Sequence, residues 1–272
     1  MRVLMFGWEF PPHITGGLGT ACFGLTKGLL KQGLEILFVV PKAYGDENKD
    51  AIRLINASDI LVDVKEPLFK DTLERFSYLE IGSNLVPYLS PEEYEKEISQ
   101  SRLSSSQEQQ TVLSRKYEFS GKYGSRLMEE VSRYALVAAS IAREYEHDLI
   151  HAHDWLTYAA GVAAKNASGK PLVVHMHATE FDRSGEKNVN TQVYELERSG
   201  MAAADRVISV SNLTRTTVIE KYHINPSKVF TVHNAVEPID SGFSVNVRRN
   251  VDEKVVTFLG RLTFQKGPEY FV

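Results

Sequence analysis

The chain has 272 residues, 43% of them hydrophobic, and a formal net charge of −4 at pH 7. That length is enough for one large domain or two small ones, each with a buried core. The negative charge gives no general attraction to nucleic acid or to anionic membranes, and no apolar stretch approaches the roughly 20 residues of a membrane span.

Short apolar runs alternate with segments of helical periodicity over most of the chain. Strands buried on both faces of a parallel sheet read as nearly continuous apolar runs, so the pattern predicts an α/β fold with a Rossmann-like, doubly wound parallel sheet. The predicted strands are Arg2–Phe6, Glu35–Val40, Leu149–Ala152, Leu172–Met176, Arg206–Val210 and Val229–Val232. The predicted helices are Thr20–Lys31, Trp155–Asn166, Asn190–Ala204 and Asn212–Tyr222.

The first predicted helix contains Cys22, the only cysteine of the sequence. A single cysteine excludes an intramolecular disulfide and is typical of a reducing compartment. The apolar run at the N-terminus is too short for the h-region of a signal peptide. We therefore expect a cytoplasmic protein.

The alternation weakens between residues 42 and 122. We expect a short strand at Phe76–Ile81 and a mobile loop in the Ser/Gln/Glu-rich segment Ser99–Thr111. A long helix follows, in which apolar residues recur at three- and four-residue spacing and predict a stripe that faces the core. The stripe consists of Leu127, Val131, Tyr134, Ala138, Ile141 and Tyr145.

A polar segment, residues 237–253, predicts a linker between two domains. Residues 1–236 would form the first domain. Residues 254–272 would be the truncated start of a second Rossmann-like domain. In this segment we expect a buried strand at Lys254–Leu259, then a loop, and then a helix that begins at Pro268.

A glycine-rich loop joins the first strand to the first helix and contains Gly16, Gly17 and Gly19. Glycines let a ligand approach the backbone, and the first N–H groups of a helix have no intrahelical partner, so the loop predicts a site for a phosphorylated ligand. The alternative is that these glycines only let the chain turn. A dinucleotide fingerprint is disfavoured, because Trp8–Thr15 separate the strand from the glycines and the second strand ends without an acidic residue.

Two predicted strands end in alternating histidines, His151 with His153 and His175 with His177. Alternate residues of a strand share a face, and parallel sheets bind ligands beyond the carboxyl ends of their strands. We interpret His151 and His175 as buried, hydrogen-bonded residues and His153, Asp154 and His177 as functional residues. A metal site of His, His and Asp is chemically permitted, but two H-x-H pairs are weak support, and the sequence predicts no bound metal.

Two cationic residues, Arg261 and Lys266, follow the strand predicted for the second domain. Both can donate hydrogen bonds to a diphosphate and neutralise the charge that develops on a departing nucleotide. On their own they would be ordinary surface charges. Facing a glycine-rich loop and a histidine-lined crevice, they indicate a binding site for a nucleotide diphosphate.

Taken in order, these motifs resemble those of the GT-B glycosyltransferases, specifically the glycogen and starch synthase-like enzymes and the family 4 retaining enzymes. The resemblance covers nearly the whole chain. The residues that carry it are Trp8–Pro12, Thr15–Gly19, His151–Trp155, His177, Val210–Ser211, His233–Glu237, Gly260–Leu262 and Lys266–Gly267.

The resemblance implies two Rossmann-like domains with the reaction in the cleft between them. The first domain would hold a glycan acceptor, and the second a nucleotide-sugar of the ADP-glucose or UDP-glucose type. The full protein would be a retaining glycosyltransferase that transfers a sugar, expected to be glucose, without a further cofactor, a metal or nucleic acid. This chain alone would be nearly inactive, because most of its own donor domain is missing.

The resemblance also assigns roles to individual residues. The residues with catalytic roles would be Asp154, His177, Arg261 and Lys266. The residues that contact the donor phosphates would be Thr15, Gly16, Gly17, Arg261 and Lys266. The residues that contact the acceptor would be Glu9, His153, Trp155 and Glu180.

Two positions depart from the family pattern. Ile14 stands where bacterial glycogen synthases usually have a lysine, so the loop does not imply ADP-glucose in particular, and Asn234–Ala235 replaces the usual Asn-Gly step. Two other classes stay open. One is a non-catalytic carbohydrate-binding domain, against which Arg261 and Lys266 argue, and the other is a GT-B epimerase or phosphorylase.

Overall fold

The computed structural model describes residues 1–47, 52–63, 114–185, 188–236, 252–260 and 262–272. Its centre is a seven-stranded parallel sheet with helices on both faces. The strands of this sheet are β1 (Arg2–Phe6), β2 (Glu35–Val40), β3 (Arg53–Asn56), β6 (Leu149–His153), β7 (Leu172–Met176), β8 (Arg206–Ser209) and β9 (Val229–Thr231). A small antiparallel sheet is formed by β4 (Val62–Asp63) and β5 (Ser114–Arg115).

The helices vary in length from one turn to five. They are α1 (Gly17–Lys31), α2 (Leu127–Glu144), α3 (Trp155–Ser168), α4 (Glu180–Ser184), α5 (Thr191–Ala203), α6 (Asn212–Tyr222) and α7 (Pro268–Phe271). Across the described part of the chain, no helix combines the length and the apolar character needed to cross a membrane.

The strand order β3-β2-β1-β6-β7-β8-β9 confirms the predicted doubly wound sheet. From β1 the chain moves outward through β2 and β3, then returns to the other side of β1 at β6 and continues outward to β9. Phe6 at the end of β1 pairs with Val39 of β2 and with Ala152 of β6. The order of the strands therefore reverses between β1 and β6, where sheets of this type bind their ligands.

Both faces of the sheet are covered, which explains why the strands read as apolar runs. On one face, Leu4 and Phe6 of β1 pack in a large core with α2 and α3. On the other face, Val3 and Met5 pack with Cys22 of α1 in a smaller core. The predicted stripe of the long helix is confirmed, since its members within α2 are 1% exposed or less.

Most predicted boundaries hold to within two residues, but α1 begins at Gly17, three residues before the predicted start. Gly16 precedes the helix in an extended conformation, with φ −168° and ψ −168°. The helix therefore begins directly after Gly16. As a result Gly17 and Gly19 belong to the first turn of α1, where a helix leaves its N–H groups unpaired.

The predicted strand at Lys254–Leu259 is wrong. These residues form no regular structure, and Val256 and Leu259 are 78% and 96% exposed. A strand needs a neighbour to accept and donate its backbone hydrogen bonds, and no described residue supplies one to this segment. The helix predicted to begin at Pro268 is confirmed as α7.

Several predictions lie outside the described residues. These are the strand at Phe76–Ile81, the loop at Ser99–Thr111, residues 237–251 of the predicted linker, and the position of Arg261. The division of the chain into two domains stays a prediction.

Candidate functional site

A cavity of about 300 Å³ lies at the carboxyl end of the sheet, beside the point where the strand order reverses. It brings together residues that are far apart in the sequence. Of the residues predicted for the site, those that line the cavity are Glu9, Thr15, Gly16, Gly17, Asp154, His177 and Lys266.

The first turn of α1 forms one wall of the cavity. No side chain caps this helix end, and its first turn contains no acidic residue. A Cβ atom built on Gly16 or Gly17 would have nothing within 4 Å, whereas one on Gly19 would lie 2.4 Å from Cγ2 of Ile14. Gly19 is therefore required by packing, while Gly16 and Gly17 leave open space beside unpaired N–H groups, as an anion site requires.

Asp154 forms the opposite wall, between β6 and α3. Its φ of 59° with ψ of 170° is a conformation otherwise adopted almost only by glycine. Neighbouring backbone holds it there: its N–H donates to the carbonyl of His175 at 2.9 Å, and its Oδ1 accepts from the N–H of His177 at 2.7 Å. Burial raises the pKa of Asp154 to about 6, although the nearby Arg183 opposes that shift.

His177 follows β7 and lines the cavity. Its Nε2 lies 3.1 Å from Nδ1 of His153, and its ring stacks on that of His175 with 4.3 Å between centroids. Burial lowers the pKa of His177 to about 4. The imidazole is therefore neutral at pH 7 and can act toward a ligand as a hydrogen-bonding group.

Arg183 is a cavity residue that the sequence analysis missed. Its Nη1 donates to the carbonyl of Ala178 at 2.8 Å, its Nε to Glu180 at 3.2 Å, and its Nη2 to the buried carboxylate of Glu197. These bonds fix the loop that follows His177. The signal in the sequence was weak, because an arginine three residues after a glutamate is indistinguishable from an ordinary surface ion pair.

Three of the residues predicted to contact an acceptor are buried instead. Trp155 is 0% exposed and packs in the large core, so its ring has no face toward a ligand. His153 is also 0% exposed, and Glu180, 3% exposed, accepts hydrogen bonds from Arg183 and from the N–H of Asn190. None of the three lines the cavity, and their contact with an acceptor stays a prediction. Each of these three residues lies at the end of a strand or at the start of a helix, where the helices that pack on the sheet cover its side chain.

The interpretation of His151 and His175 is confirmed in one respect and corrected in another. Both are buried, at 6% and 4% exposed. They are not fully hydrogen-bonded, because Nε2 of His151 and both ring nitrogens of His175 have no partner among the described residues.

Lys266 reaches the cavity from the far end of the chain. It ends a 3₁₀ turn, Phe264–Lys266, which packs against α4. Gln265 and Asn234 line the cavity beside it. The predicted partner of Lys266 at a diphosphate, Arg261, lies outside the described residues, so its role stays a prediction.

A second, larger cavity of about 580 Å³ adjoins the first, and Glu9, Thr15 and Tyr123 line both. The Glu9 carboxylate accepts hydrogen bonds from Oγ1 of Thr15 at 2.8 Å and from the hydroxyl of Tyr123. On its outer side this cavity is lined by the rings of His13 and Tyr44, whose centroids lie 4.1 Å apart. Glu9 thus sits where the two cavities meet.

Comparisons with known proteins identify the family of this chain. A model described as Glycosyltransferase Family 4 matches residues 99–239, which is half of the chain. The chain therefore belongs to Glycosyltransferase Family 4, and the resemblance to GT-B glycosyltransferases is confirmed.

Curated relatives are longer than this chain. An uncharacterised glycosyltransferase of Methanocaldococcus jannaschii is 27% identical over 284 residues, which cover 100% of the chain and 58% of the relative. A glycogen synthase of Mycobacterium tuberculosis is 22% identical over 279 residues, which cover 98% of the chain and 56% of the relative. The chain thus spans somewhat more than half the length of these relatives.

Among solved structures, sucrose-phosphate synthase from Thermosynechococcus elongatus is similar with a TM-score of 0.52 and 12% identity. The alignment covers 85% of this chain and 47% of that one. At this identity the similarity shows a shared fold.

Proposed function

We propose that this chain is the acceptor-side part of a retaining glycosyltransferase, which transfers glucose from a nucleotide-sugar to a glycan. The observation that carries the proposal is the 300 Å³ cavity, where the uncapped N-terminus of α1 faces Asp154, His177 and Lys266. The similarity to a glycogen synthase supports the choice of glucose and of a glucan acceptor. Because the relatives are longer than this chain, we propose that the remaining contacts to the nucleotide come from a donor domain of the full-length protein.

The donor diphosphate would lie between the first turn of α1 and Lys266. Unpaired N–H groups and the positive end of the helix dipole favour an anion, and the open space at Gly16 and Gly17 lets the phosphates approach the backbone. The Lys266 ammonium would neutralise the charge that grows on the diphosphate as its bond to the sugar breaks. Both interactions strengthen in the transition state, as catalysis requires.

The transferred sugar would lie against Asp154 and His177. The neutral imidazole of His177 would hydrogen-bond a sugar hydroxyl, and the Asp154 carboxylate holds the backbone of His177 in place. In the reaction, the acceptor hydroxyl oxygen forms a bond to the anomeric carbon, the bond from that carbon to the diphosphate breaks, and the hydroxyl proton passes to a phosphate oxygen. Attack from the side of the leaving group retains the configuration.

The acceptor would occupy the adjoining 580 Å³ cavity, next to Glu9. The rings of His13 and Tyr44 line it and offer apolar faces to a sugar. Glu9 would mark the boundary between the donor and acceptor positions, because it lines both cavities.

The test is nucleotide release by the full-length protein, measured with ADP-, UDP- and GDP-glucose, with and without maltooligosaccharide. We expect release with one of these donors, dependent on acceptor, and a large loss of kcat/KM in Lys266→Ala and Arg261→Ala. Lys254→Ala is the matched control, since Lys254 is exposed in the same segment and does not line the cavity. Sugar binding without nucleotide release from any donor would overturn the proposal and favour a non-catalytic carbohydrate-binding protein.

A further inference from the structure

Three buried imidazoles, His151, His153 and His175, form a group behind His177 on one face of the sheet. They are 6%, 0% and 4% exposed. His153 and His175 are direct neighbours in the β6–β7 register, and His151 lies two residues earlier on the same face of β6. Their ring centroids are 4.3 to 5.6 Å apart.

Four ring nitrogens of this group have no hydrogen-bond partner among the described residues. They are Nε2 of His151, Nε2 of His153, and both Nδ1 and Nε2 of His175. Each buried polar atom without a partner carries an uncompensated cost of desolvation. Such a concentration of this cost in one place indicates that something other than the protein binds these atoms.

The positions of these nitrogens suit a metal ion. One ring nitrogen of each histidine lies within 4.8 Å of one nitrogen of each of the others. With Zn–N bonds of 2.0–2.1 Å, two ligands of a tetrahedral site are about 3.4 Å apart, so modest side-chain rotations close the group around an ion. Neutral imidazoles are preferred ligands of Zn²⁺ and of the neighbouring divalent transition metals.

We propose that His151, His153 and His175 together bind one divalent transition-metal ion such as Zn²⁺. The sequence predicted no metal, because two H-x-H pairs do not show that three of their rings converge. The structure supplies that convergence together with the unpaired nitrogens.

Two other groups of side chains have ligand atoms equally close together, and each is less suited to an ion. In the group of Cys22, His153 and His177, Nδ1 of His153 and Nε2 of His177 already bond each other at 3.1 Å. Nε2 of His177 is therefore already engaged within the chain, whereas the proposed group has four ring nitrogens without a partner among the described residues.

The third group, His13, Asp46 and Glu47, lies largely at the surface. Here the Asp46 carboxylate pairs with His13 at 2.6 Å, and Glu47 accepts hydrogen bonds from the backbone of Tyr44 and Gly45. Its atoms have partners within the chain, unlike those of the buried group.

The proposed ion would act on the cavity through hydrogen bonds. A histidine that binds metal through Nε2 carries its proton on Nδ1, and His153 would donate that proton to Nε2 of His177. Neutral His177 then carries its own proton on Nδ1, so the ion would fix which ring nitrogen of this cavity residue donates. This effect on sugar recognition rests on the proposed function, whereas metal binding itself does not.

The test uses untagged full-length protein, stripped with a chelator and titrated with ZnCl₂ by calorimetry. We expect one Zn²⁺ per chain, binding at least about 100-fold weaker in His151→Phe and in His175→Phe, and unchanged binding in His233→Ala, an exposed histidine. Circular dichroism of each variant checks folding. X-ray absorption of the wild-type complex needs no variant, and we expect three imidazole nitrogens in the first coordination shell.

Three results would overturn the proposal. The first is the absence of stoichiometric binding to the wild type. The second is binding that survives both phenylalanine substitutions but is lost in Cys22→Ser or Asp46→Asn, which would place the ion in one of the other groups. The third is a coordination shell made of oxygen atoms. None of these results depends on sugar transfer, so a failure here is distinguishable from a failure of the proposed function.

Discussion

At the scale of single residues, Asp154 has a strained backbone conformation and a titratable side chain that lines the cavity. A residue other than glycine in its conformation costs of order 1–3 kcal/mol, and the hydrogen bonds to His175 and His177 hold it there. Such strain persists where the surrounding structure fixes the backbone, which at this position is the end of two adjacent strands. The consequence is a carboxylate aimed at the backbone of the residue proposed to recognise the sugar.

Asp154 should give the protein a specific pH dependence of stability. Burial raises its pKa to about 6 in the folded chain, above the usual 3.8, so the folded state binds the proton more tightly. Its contribution to stability is therefore present below pH 4 and is lost as the pH rises through 6, by about 3 kcal/mol in total. Chemical denaturation between pH 4 and 7 should show the free energy of unfolding of the wild type falling relative to Asp154→Asn, and parallel profiles would contradict this assignment.

Arg183 is the second residue whose substitution has a clear expected effect. It neutralises Glu180 and Glu197, and all three side chains are less than 8% exposed. Removing one partner of a buried pair leaves an uncompensated charge, so Arg183→Met should lower the free energy of unfolding by about 3 kcal/mol or more. The matched control is Arg198→Met, which breaks an exposed pair with Glu195 and should cost less than about 1 kcal/mol. Equal effects of the two substitutions in denaturant unfolding would show that the buried network is not stabilising.

At the scale of elements, the N-terminus of α1 combines the two properties that an anion site needs. It has no side-chain cap, and it has open space at Gly16 and Gly17. The third glycine, Gly19, has a different task, since a Cβ atom there would collide with Ile14. One glycine cluster thus serves both ligand approach and packing.

The substitution Gly17→Ala should impair ligand binding without disturbing the packing of the helix. Gly17→Ala places its Cβ in open space, so folding should be retained, but the methyl group would occupy the place proposed for the phosphates. We expect the Kd of the full-length protein for its nucleotide-sugar to rise about tenfold or more, equal to about 1.4 kcal/mol. Gly24→Ala is the control, because Gly24 also has nothing within 4 Å and lies on the exposed face of the same helix. Unchanged donor affinity in Gly17→Ala would remove α1 from the donor site.

At the scale of the whole molecule, the densely packed sheet and its helices contrast with the segment 252–272. The seven-stranded sheet has cores on both faces, while the segment leaves large apolar side chains in contact with solvent. Those exposed by more than three quarters include Val256 and Leu259. Large exposed apolar side chains of this kind promote association.

This 272-residue chain should therefore associate with itself through that segment. In sedimentation velocity, we expect a concentration-dependent increase in sedimentation coefficient that the double substitution Val256→Ser with Leu259→Ser reduces. Lys254→Ser, in the same segment, should leave the increase unchanged. Identical behaviour of the wild type and the double variant would show that the segment does not mediate association.

The sequence by itself determined the fold and the general position of the site. The strands β1, β2 and β7 are nearly continuous apolar runs because both of their faces are buried, and a glycine loop followed by a helix has a local signature. For the same reason Asp154 and His177 could be placed at strand ends. The resemblance to a known family then assigned Lys266 to the same site, because the motifs occur in the order found in that family.

Only the tertiary structure decided which side chains face the cavity. Trp155 and Glu180 lie within two residues of cavity residues in the sequence, but their side chains are buried, because burial depends on elements that pack from elsewhere in the chain. Arg183 enters the site for the same reason, through Glu197 on another helix. The histidines show the difference most clearly: alternation predicts two pairs, but the β6–β7 register decides that three of their rings meet in one buried group.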